Sequence, residues 1–571
     1  MWVRTSGRRV LFAAVLGAVL VAGAVAPARG GEAVVLGCGS TANLKGLFDK
    51  LGKLAEKFVP GTGAQVLGMS AMLTQEPGLA GVDWSKPATA VLFGGKAFGK
   101  DEPVPVVFVH LADAAAFRQA NPEGGNVAFE VRDGVAIVTP EKAALAQVTP
   151  ERFALYSKFP QIAGTADVYV TAYLTQITAE YEGEIAAGLK EIEQQAGDMA
   201  MPGPMANIGK ILKCVGPLLN LAGQQVRRAS LTMQFNDDSL DIWSRLYAAE
   251  DSALGTFLSA QPGDISDLAR YLPADTAMSV TGKLDIEKAK PLLEAVLKAL
   301  AGPLELTAED QQKVRDLMFA STQTGEFAVA VPAGAAFPGM QTAQVVRIAD
   351  AAKFRAASKD GIEWVTKSGL GAMMEAAGVK MTIDYKPNSR EYQGVAVDRV
   401  TVTMAAGADA PPNPLMGQQP PQVTEMAAVG NLGVAASNNP GGELLNGILD
   451  RIKGAGTPGL DTSAAYKAAR AAAPKGADIV ALIHFNTMLA KVVEEMAKQQ
   501  PAIAMMVGAM VKADPTEEPI TTYALFGANA VEMRTRIPHQ PILNMVTRVR
   551  TMIEKQPGAR PGPKPKDEDD F

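Results

Sequence analysis

Two short glycine-rich stretches have the residue types and spacing of nucleotide-binding loops. Residues 37–42, Gly-Cys-Gly-Ser-Thr-Ala, fit the dinucleotide fingerprint G-x-G-x-x-G/A, and residues 94–101, Gly-Gly-Lys-Ala-Phe-Gly-Lys-Asp, nearly fit the phosphate loop. A dinucleotide site needs a second strand that ends in an acid about 20 residues further on, and none follows here. In the second stretch Asp101 replaces the hydroxyl that would hold magnesium. We therefore interpret the first stretch as a strand entering a helix and the second as a hairpin loop, and we predict no cofactor.

Other side chains that could do chemistry are few. The three histidines, His110, His484 and His539, are too scattered in the sequence for a metal cluster, so we predict no metal site. Cys38 and Cys214 are the only cysteines; an exported compartment permits a disulfide between them, and the sequence leaves open whether they are bridged. No stretch combines a nucleophile, a base and an orienting group. We predict a protein that is not an enzyme, with a hydrolase built from distant residues as the alternative.

The beginning of the chain has the pattern of a secretory signal peptide. Three arginines precede an uncharged apolar run over 10–26, and small residues follow, which predicts cleavage after Ala28. The mature chain would carry 51 basic and 60 acidic side chains, a net charge of −9, which disfavours nucleic acid as a partner. No later segment has membrane-spanning length, so we expect a periplasmic or extracellular protein. Val35-Leu36-Gly37-Cys38 also resembles a lipobox, but Arg29 and Glu32 separate it from the apolar run.

Internal repeats indicate that the chain is duplicated. Residues 108–120 recur as residues 345–357 at an offset of 237, sharing the core aliphatic-Ala-Asp-Ala-Ala-x-Phe-Arg. In each copy an aspartate, Asp113 or Asp350, is predicted to cap a helix, and Phe117 or Phe354 is predicted to pack inward one turn later.

A second repeat pairs 235–246 with 526–537 at an offset of 291, and its period-two alternation predicts a β-hairpin. Asp241 and Arg245 match Glu532 and Arg536. The larger offset indicates insertions in the second copy: an extra hairpin around 394–404 and a Pro-rich segment at 408–422.

A strand leading into a helix occurs four times, so each unit contains two related halves. We predict an α+β tandem duplication whose antiparallel-rich sheets are each covered by helices on one face. The first unit would span 29–260 and the second 261–550, between the signal peptide, 1–28, and a disordered tail, 551–571.

Methionine is the most suggestive residue type for binding. The chain has 24 methionines, and Met505, Met506 and Met510 belong to an apolar cluster of the kind that lines adaptable grooves. Ordinary core packing explains the same pattern. We therefore leave two partners open: an apolar or lipid-like ligand, and a protein of the cell envelope.

One motif resembles a known family. Leu272-Pro273-Ala274-Asp275-Thr276, followed by a strand and an amphipathic helix, is similar to the repeat opening of exported, planctomycete-like bacterial proteins of unknown function. The resemblance implies an exported α+β protein and supplies no catalytic residue. Together these patterns favour a non-catalytic binding or scaffold protein of the cell envelope over a purely structural or protein-interaction module.

Overall fold

The structure is a computed structural model, and it describes most of the chain between residues 33 and 555. The described residues are 33–122, 127–157, 166–198, 208–304, 306–320, 324–333, 341–367, 379–406, 421–439, 441–490, 493 and 517–555. The predicted signal peptide and nearly all of the Pro-rich segment lie outside them. Residues 551–555 belong to the last helix, so the predicted tail boundary at 551 is too early.

Eighteen strands form one sheet in which every pairing is antiparallel. The first eight strands are β1 (Val35–Thr41), β2 (Ala88–Phe93), β3 (Val104–His110), β4 (Ala128–Arg132), β5 (Val135–Thr139), β6 (Val168–Ala172), β7 (Val226–Phe235) and β8 (Ser239–Ala248). The other ten are β9 (Thr276–Lys283), β10 (Glu326–Pro332), β11 (Thr342–Arg347), β12 (Val379–Tyr392), β13 (Val395–Ala406), β14 (Gln422–Val429), β15 (Leu432–Ser437), β16 (Ala477–Ile483), β17 (Ile520–Gly527) and β18 (Ala530–Pro538).

The spatial order of the strands divides the sheet into two halves that meet at the pair β8–β18. From edge to edge it runs β4-β5-β3-β2-β1-β6-β7-β8, then β18-β17-β16-β9-β10-β11-β15-β14-β13-β12. Read outward from this pair, the two halves have the same order of elements, and the second half has two additional strands, β12 and β13, at its edge. We call the β8–β18 pair the seam.

Directly paired residues share a face of a sheet, so the register identifies the two faces. One row of paired residues crosses all eighteen strands, with Trp243 and Arg534 at the seam, and we call the face that carries this row the front. The row, from β4 to β12, is Glu130, Ile137, Phe108, Thr89, Ser40, Tyr169, Thr232, Trp243, Arg534, Tyr523, Val480, Thr281, Ala328, Val345, Val434, Ala427, Val397 and Arg390.

Sixteen helices occur among the described residues. They are α1 (Leu44–Phe58), α2 (Gly63–Thr74), α3 (Ala114–Ala120), α4 (Lys142–Leu145), α5 (Pro150–Ser157), α6 (Leu174–Glu180), α7 (Glu182–Asp198), α8 (Ile208–Gln225), α9 (Ala253–Ser259), α10 (Lys290–Ala301), α11 (Ala308–Ala320), α12 (Ala351–Lys367), α13 (Glu443–Ile452), α14 (Ala464–Ala472), α15 (485–490) and α16 (His539–Lys555). No helix in the described part of the chain is long and apolar enough to span a membrane.

The expectation that helices cover only one face of the sheet is wrong. On the front, the outer strands of the first half pack against Tyr156 of α5, and those of the second half pack against Leu445 of α13 and Tyr466 of α14. On the back, Phe117 of α3 and Phe354 of α12 fill the corresponding places. Strands such as β2 are therefore buried on both faces, which explains why the uniformly buried run Ala88–Phe93 does not alternate.

The repeated strand-to-helix junctions are confirmed. Asp113 accepts hydrogen bonds from the N–H groups of Ala115 and Ala116, and Asp350 accepts those of Ala352 and Lys353, so each aspartate caps its helix. The phenylalanine that follows is buried in both places, with Phe117 2% and Phe354 9% exposed.

Phe354 also packs tightly against a strand. A Cβ atom added to Gly433 of β15 would lie 2.7 Å from a ring carbon of Phe354, so this strand position has room for glycine only.

The predicted extra hairpin is β12–β13, and a buried carboxylate attaches it to α12. Asp398, whose side chain is 3% exposed, forms a two-bond ion pair with Arg355. It also accepts hydrogen bonds from the Tyr385 hydroxyl at 3.0 Å and the Asn388 N–H at 2.8 Å. Burial opposes ionisation of Asp398, but these donors outweigh it and hold its pKa below the ordinary value. The hairpin is thus fixed by charge as well as by its strand pairing.

Candidate functional site

The two glycine-rich stretches are not nucleotide-binding loops. Gly37 and Gly39 lie inside β1, which leads into α1, and β1 is paired on both sides, with β2 and with β6. Residues 94–101 form the loop of the β2–β3 hairpin. Both interpretations made from the sequence are confirmed.

The structure places the two cysteines apart, without a disulfide between them. Cys38 points to the front, within the cluster that α5 covers, and burial raises the pKa of its thiol. Cys214 is half-buried in α8, which packs with α6 on the back of the sheet. The sheet itself separates the two sulfur atoms. Met505, Met506 and Met510 lie outside the described residues.

The histidines are in three separate places, and the described residues contain no group of three side chains that could hold a metal ion. His110 lines an open cleft of about 910 Å³ beside Arg132, Phe153 and Ser157, and burial lowers its pKa. Among the described residues, no hydroxyl or thiol is hydrogen-bonded to the His110 ring. The nearby Ser85 hydroxyl donates to Asp83 rather than to a histidine.

His539 is the most buried histidine. It is 3% exposed at the start of α16, where its ring meets Phe58 edge-on at 5.7 Å between ring centroids. Burial is the main cause that lowers the pKa of His539, and the charge of Lys57 acts in the same direction. Its neutral ring is packed as part of the junction between α1 and the sheet.

The most distinctive polar surface lies on the front of the central strands. We define the seam face as the front-facing residues of β7, β8, β18 and β17. They are Arg228, Ser230, Thr232, Gln234, Asp241, Trp243, Arg245, Tyr247, Ala530, Glu532, Arg534, Arg536, Thr521, Tyr523 and Leu525. The rows of paired residues on the front are therefore apolar and buried where they cross the outer strands, and polar or aromatic where they cross the central strands.

Described helices leave most of the seam face open; the exception is its β17 edge, where Tyr523 is buried and its hydroxyl donates to the carbonyl of Ala469 in α14. The described helices that contact β7, β8, β18 or β17 are chiefly α6, α8 and α9. These lie on the back, where Phe257 of α9 meets the back-facing Phe526. Trp243 is half-buried and Arg245 is exposed. The seam face thus lies between two pairs of front-side helices, α4 and α5 over the first half and α13 and α14 over the second.

Two ion pairs cross the seam symmetrically. Arg245 pairs with Glu532 on one side of the central Trp243–Arg534 pair, and Arg536 pairs with Asp241 on the other. The sequence offset of 291 relates Asp241 to Glu532 and Arg245 to Arg536, and so exchanges the two ion pairs. It also relates Trp243 to Arg534. The repeat noticed in the sequence is therefore a local twofold arrangement of side chains across the seam.

The positive charge on the seam face is concentrated at one end. Arg536 contacts three carboxylates, those of Asp238, Asp241 and Glu518, so that end carries an excess of negative charge. At the other end Arg228, Arg245 and Arg534 face one carboxylate, that of Glu532.

Glu532 already serves two of those three arginines. Burial opposes its ionisation, but the hydrogen bonds from Arg245 and Arg534 outweigh burial and lower its pKa. This end of the seam face, with three arginines and one carboxylate, therefore keeps an excess of positive charge on a chain whose formal net charge is −6.

Comparisons with protein-family models, curated proteins and solved structures found no match to this chain. The sequence signal for the seam face was the match of Asp241 and Arg245 to Glu532 and Arg536. That match indicated a hairpin in each unit. It did not indicate that the two hairpins pair with each other, and so the seam face was not foreseen.

Proposed function

We propose that the protein is an exported, non-catalytic scaffold of the cell envelope that binds an acidic segment of a partner protein on the seam face. The signal-peptide pattern of residues 1–28 supports export. The observation that carries the binding proposal is the seam face itself: a central surface of arginine, tryptophan and tyrosine that the described helices leave largely open. These residue types dominate the energetics of protein interfaces.

Charge complementarity supports an acidic partner. Three arginines, Arg228, Arg245 and Arg534, share one carboxylate at one end of the seam face. An acidic segment would complete their neutralisation, and long-range attraction would speed its association at low salt. A polypeptide laid on this surface binds through its side chains, because the backbone groups of the central strands are already paired.

We further propose that the chain arose by tandem duplication, with the seam joining the two units. Three observations support this. The halves have the same strand order outward from the seam. Phe108 and Val345, related by the sequence offset of 237, lie in the same row, each five strands from the seam. Trp243 and Arg534, related by the second offset of 291, face each other at its centre. A binding surface at the seam would then draw equally on both units.

Two other functions have weaker support. The lipid-like ligand depends on Met505, Met506 and Met510, and the described residues add only scattered exposed apolar side chains such as Leu219 and Met533. The hydrolase alternative has the cleft beside His110, where no nucleophile is hydrogen-bonded to the imidazole.

The proposal is tested by binding of a fluorescein-labelled octaglutamate peptide to the full chain. We expect Trp243→Ala and Arg534→Gln to weaken binding at least tenfold, about 1.4 kcal/mol each. Arg399→Gln is the matched control, because Arg399 is also half-buried on the front of the sheet but lies in β13. We expect it to bind as the wild type does.

Two results would contradict the proposal. One is octaglutamate binding no tighter than octalysine binding. The other is a loss of affinity in Arg399→Gln equal to that in Arg534→Gln, which would indicate non-specific attraction. Binding of polygalacturonate without binding of octaglutamate would replace the protein partner by an acidic glycan. Circular dichroism of each variant verifies that the sheet is intact.

A further inference from the structure

We propose that Arg228 binds a carboxylate of the bound partner. This inference rests on the proposed function, because it assigns one residue of the seam face to one group of the ligand. Arg228 lies near the start of β7, directly opposite Tyr247 of β8. Its position is at the positive end of the seam face.

Arg228 has no anionic partner among the described residues. Its guanidinium lies over the Tyr247 ring, 3.8 Å from the ring centroid. Its Nε atom is buried and has no hydrogen-bond acceptor in the described part of the chain. A buried donor without an acceptor is unfavourable, so the guanidinium of Arg228 has hydrogen-bonding capacity that the described residues do not use.

The other arginines of the seam face already have carboxylate partners. Arg245 and Arg534 both bind Glu532, and the hydrogen bond to Glu532 is the main reason that the pKa of Arg245 is raised. Arg536 is in contact with three carboxylates. Arg228 is therefore the seam-face arginine whose charge is left for an external group.

The surroundings of Arg228 favour a planar anion. Stacking on Tyr247 holds the guanidinium flat, and a flat guanidinium presents parallel N–H donors that match the two oxygens of a carboxylate. Burial raises the pKa of the nearby Tyr173 to about 12, so its hydroxyl stays neutral and adds no competing negative charge.

Arg228 has a matched control in its neighbour. Arg227 lies one residue away in the same strand, at the register shift between Val226 and Arg228, and pairs with Glu250 at 3.0 Å. The variants Arg228→Gln and Arg227→Gln remove the same charge from adjacent positions. Only Arg228→Gln removes the proposed carboxylate-binding residue.

The experiment uses the full chain labelled with ¹⁵N-arginine and follows the Nε–H resonance of Arg228, assigned by its absence in Arg228→Lys. Sodium acetate is titrated against sodium chloride of equal ionic strength. We expect acetate, and not chloride, to shift this resonance, and we expect Arg228→Gln to bind octaglutamate at least tenfold more weakly than the wild type. Arg227→Gln should bind octaglutamate as the wild type does.

Each other outcome decides between the inference and the proposed function. If octaglutamate binds but the Arg228 resonance stays unmoved and Arg228→Gln binds normally, the inference is overturned while the scaffold proposal survives. If acetate shifts the resonance but octaglutamate does not bind, Arg228 binds carboxylates as inferred and the scaffold proposal fails. If sulfate shifts the resonance and acetate does not, the carboxylate assignment is wrong. Equal losses in Arg227→Gln and Arg228→Gln would reduce the effect to net charge.

Discussion

Asp398→Ala should release the β12–β13 hairpin from α12. The substitution removes four hydrogen bonds from a carboxylate that is 3% exposed. Tyr385 is half-buried and Asn388 is exposed, so water can replace their bonds at little cost. The Arg355 side chain is 32% exposed and regains only part of its hydration. We therefore expect a loss of about 3 kcal/mol, at the lower end of the range for a broken buried ion pair.

Hydrogen exchange of the β13 amides measures this loss locally, which suits a large chain that need not unfold in one step. A loss of about 3 kcal/mol corresponds to roughly 100-fold faster exchange over Val395–Ala406. Asp384→Ala is the control, because Asp384 lies in the same hairpin with its side chain 53% exposed. It should change exchange by about twofold or less.

The reasoning would be refuted if Asp398→Ala accelerated exchange by less than about tenfold, or if the two variants behaved alike. Acidification gives a second check. The folded-state pKa of Asp398 lies below its ordinary value, so its contribution is complete above the unfolded-state pKa and is lost as the pH falls through the folded-state pKa. The wild type and the variant should thus converge only in strong acid.

Three further predictions concern buried groups. The pKa of His539 is lowered by burial, so the unfolded chain takes up a proton at higher pH than the folded one, and stability is lost as the pH falls below about 6.5. The thermal midpoint of His539→Gln should therefore fall less than that of the wild type between neutral and mildly acid pH. A pH dependence equal to that of the wild type would contradict this prediction. Iodoacetamide should modify native Cys214 faster than the fully buried Cys38, as peptide mass spectrometry would show, and the reverse order would be inconsistent with the fold. Gly433→Ala should destabilise the protein by about 1–3 kcal/mol through contact with the Phe354 ring, and Phe354→Leu in the same chain should restore part of the loss measured by urea unfolding.

Local structure was largely predictable from the sequence. The aspartate caps and the four strand-to-helix junctions follow from short-range rules of capping and alternation. The extra hairpin in the second half was also predicted, because an insertion enlarges the offset between repeats.

Long-range arrangement was not predictable by the same rules. Alternation assigns each residue to a face, but it does not say which strand lies next to which, so the pairing of β8 with β18 had no sequence signal of its own. The helices on both faces were missed because a strand buried on both faces, such as β2, is a plain aliphatic run. The seam face was missed for the first of these reasons, since its residues come from strands almost 300 positions apart.

The seam also sets an order of events in time. The edge of β8 is complete once residue 248 has emerged, yet its partner β18 is among the last strands to be synthesised. Until then β8 is an unprotected edge, and such edges invite pairing with other chains. Its own sequence is self-complementary: in an antiparallel pair of two β8 strands centred on Trp243, Asp241 of one copy would face Arg245 of the other. Because β18 occupies this edge in the folded chain, its pairing with β8 excludes a second copy of β8 from the same position.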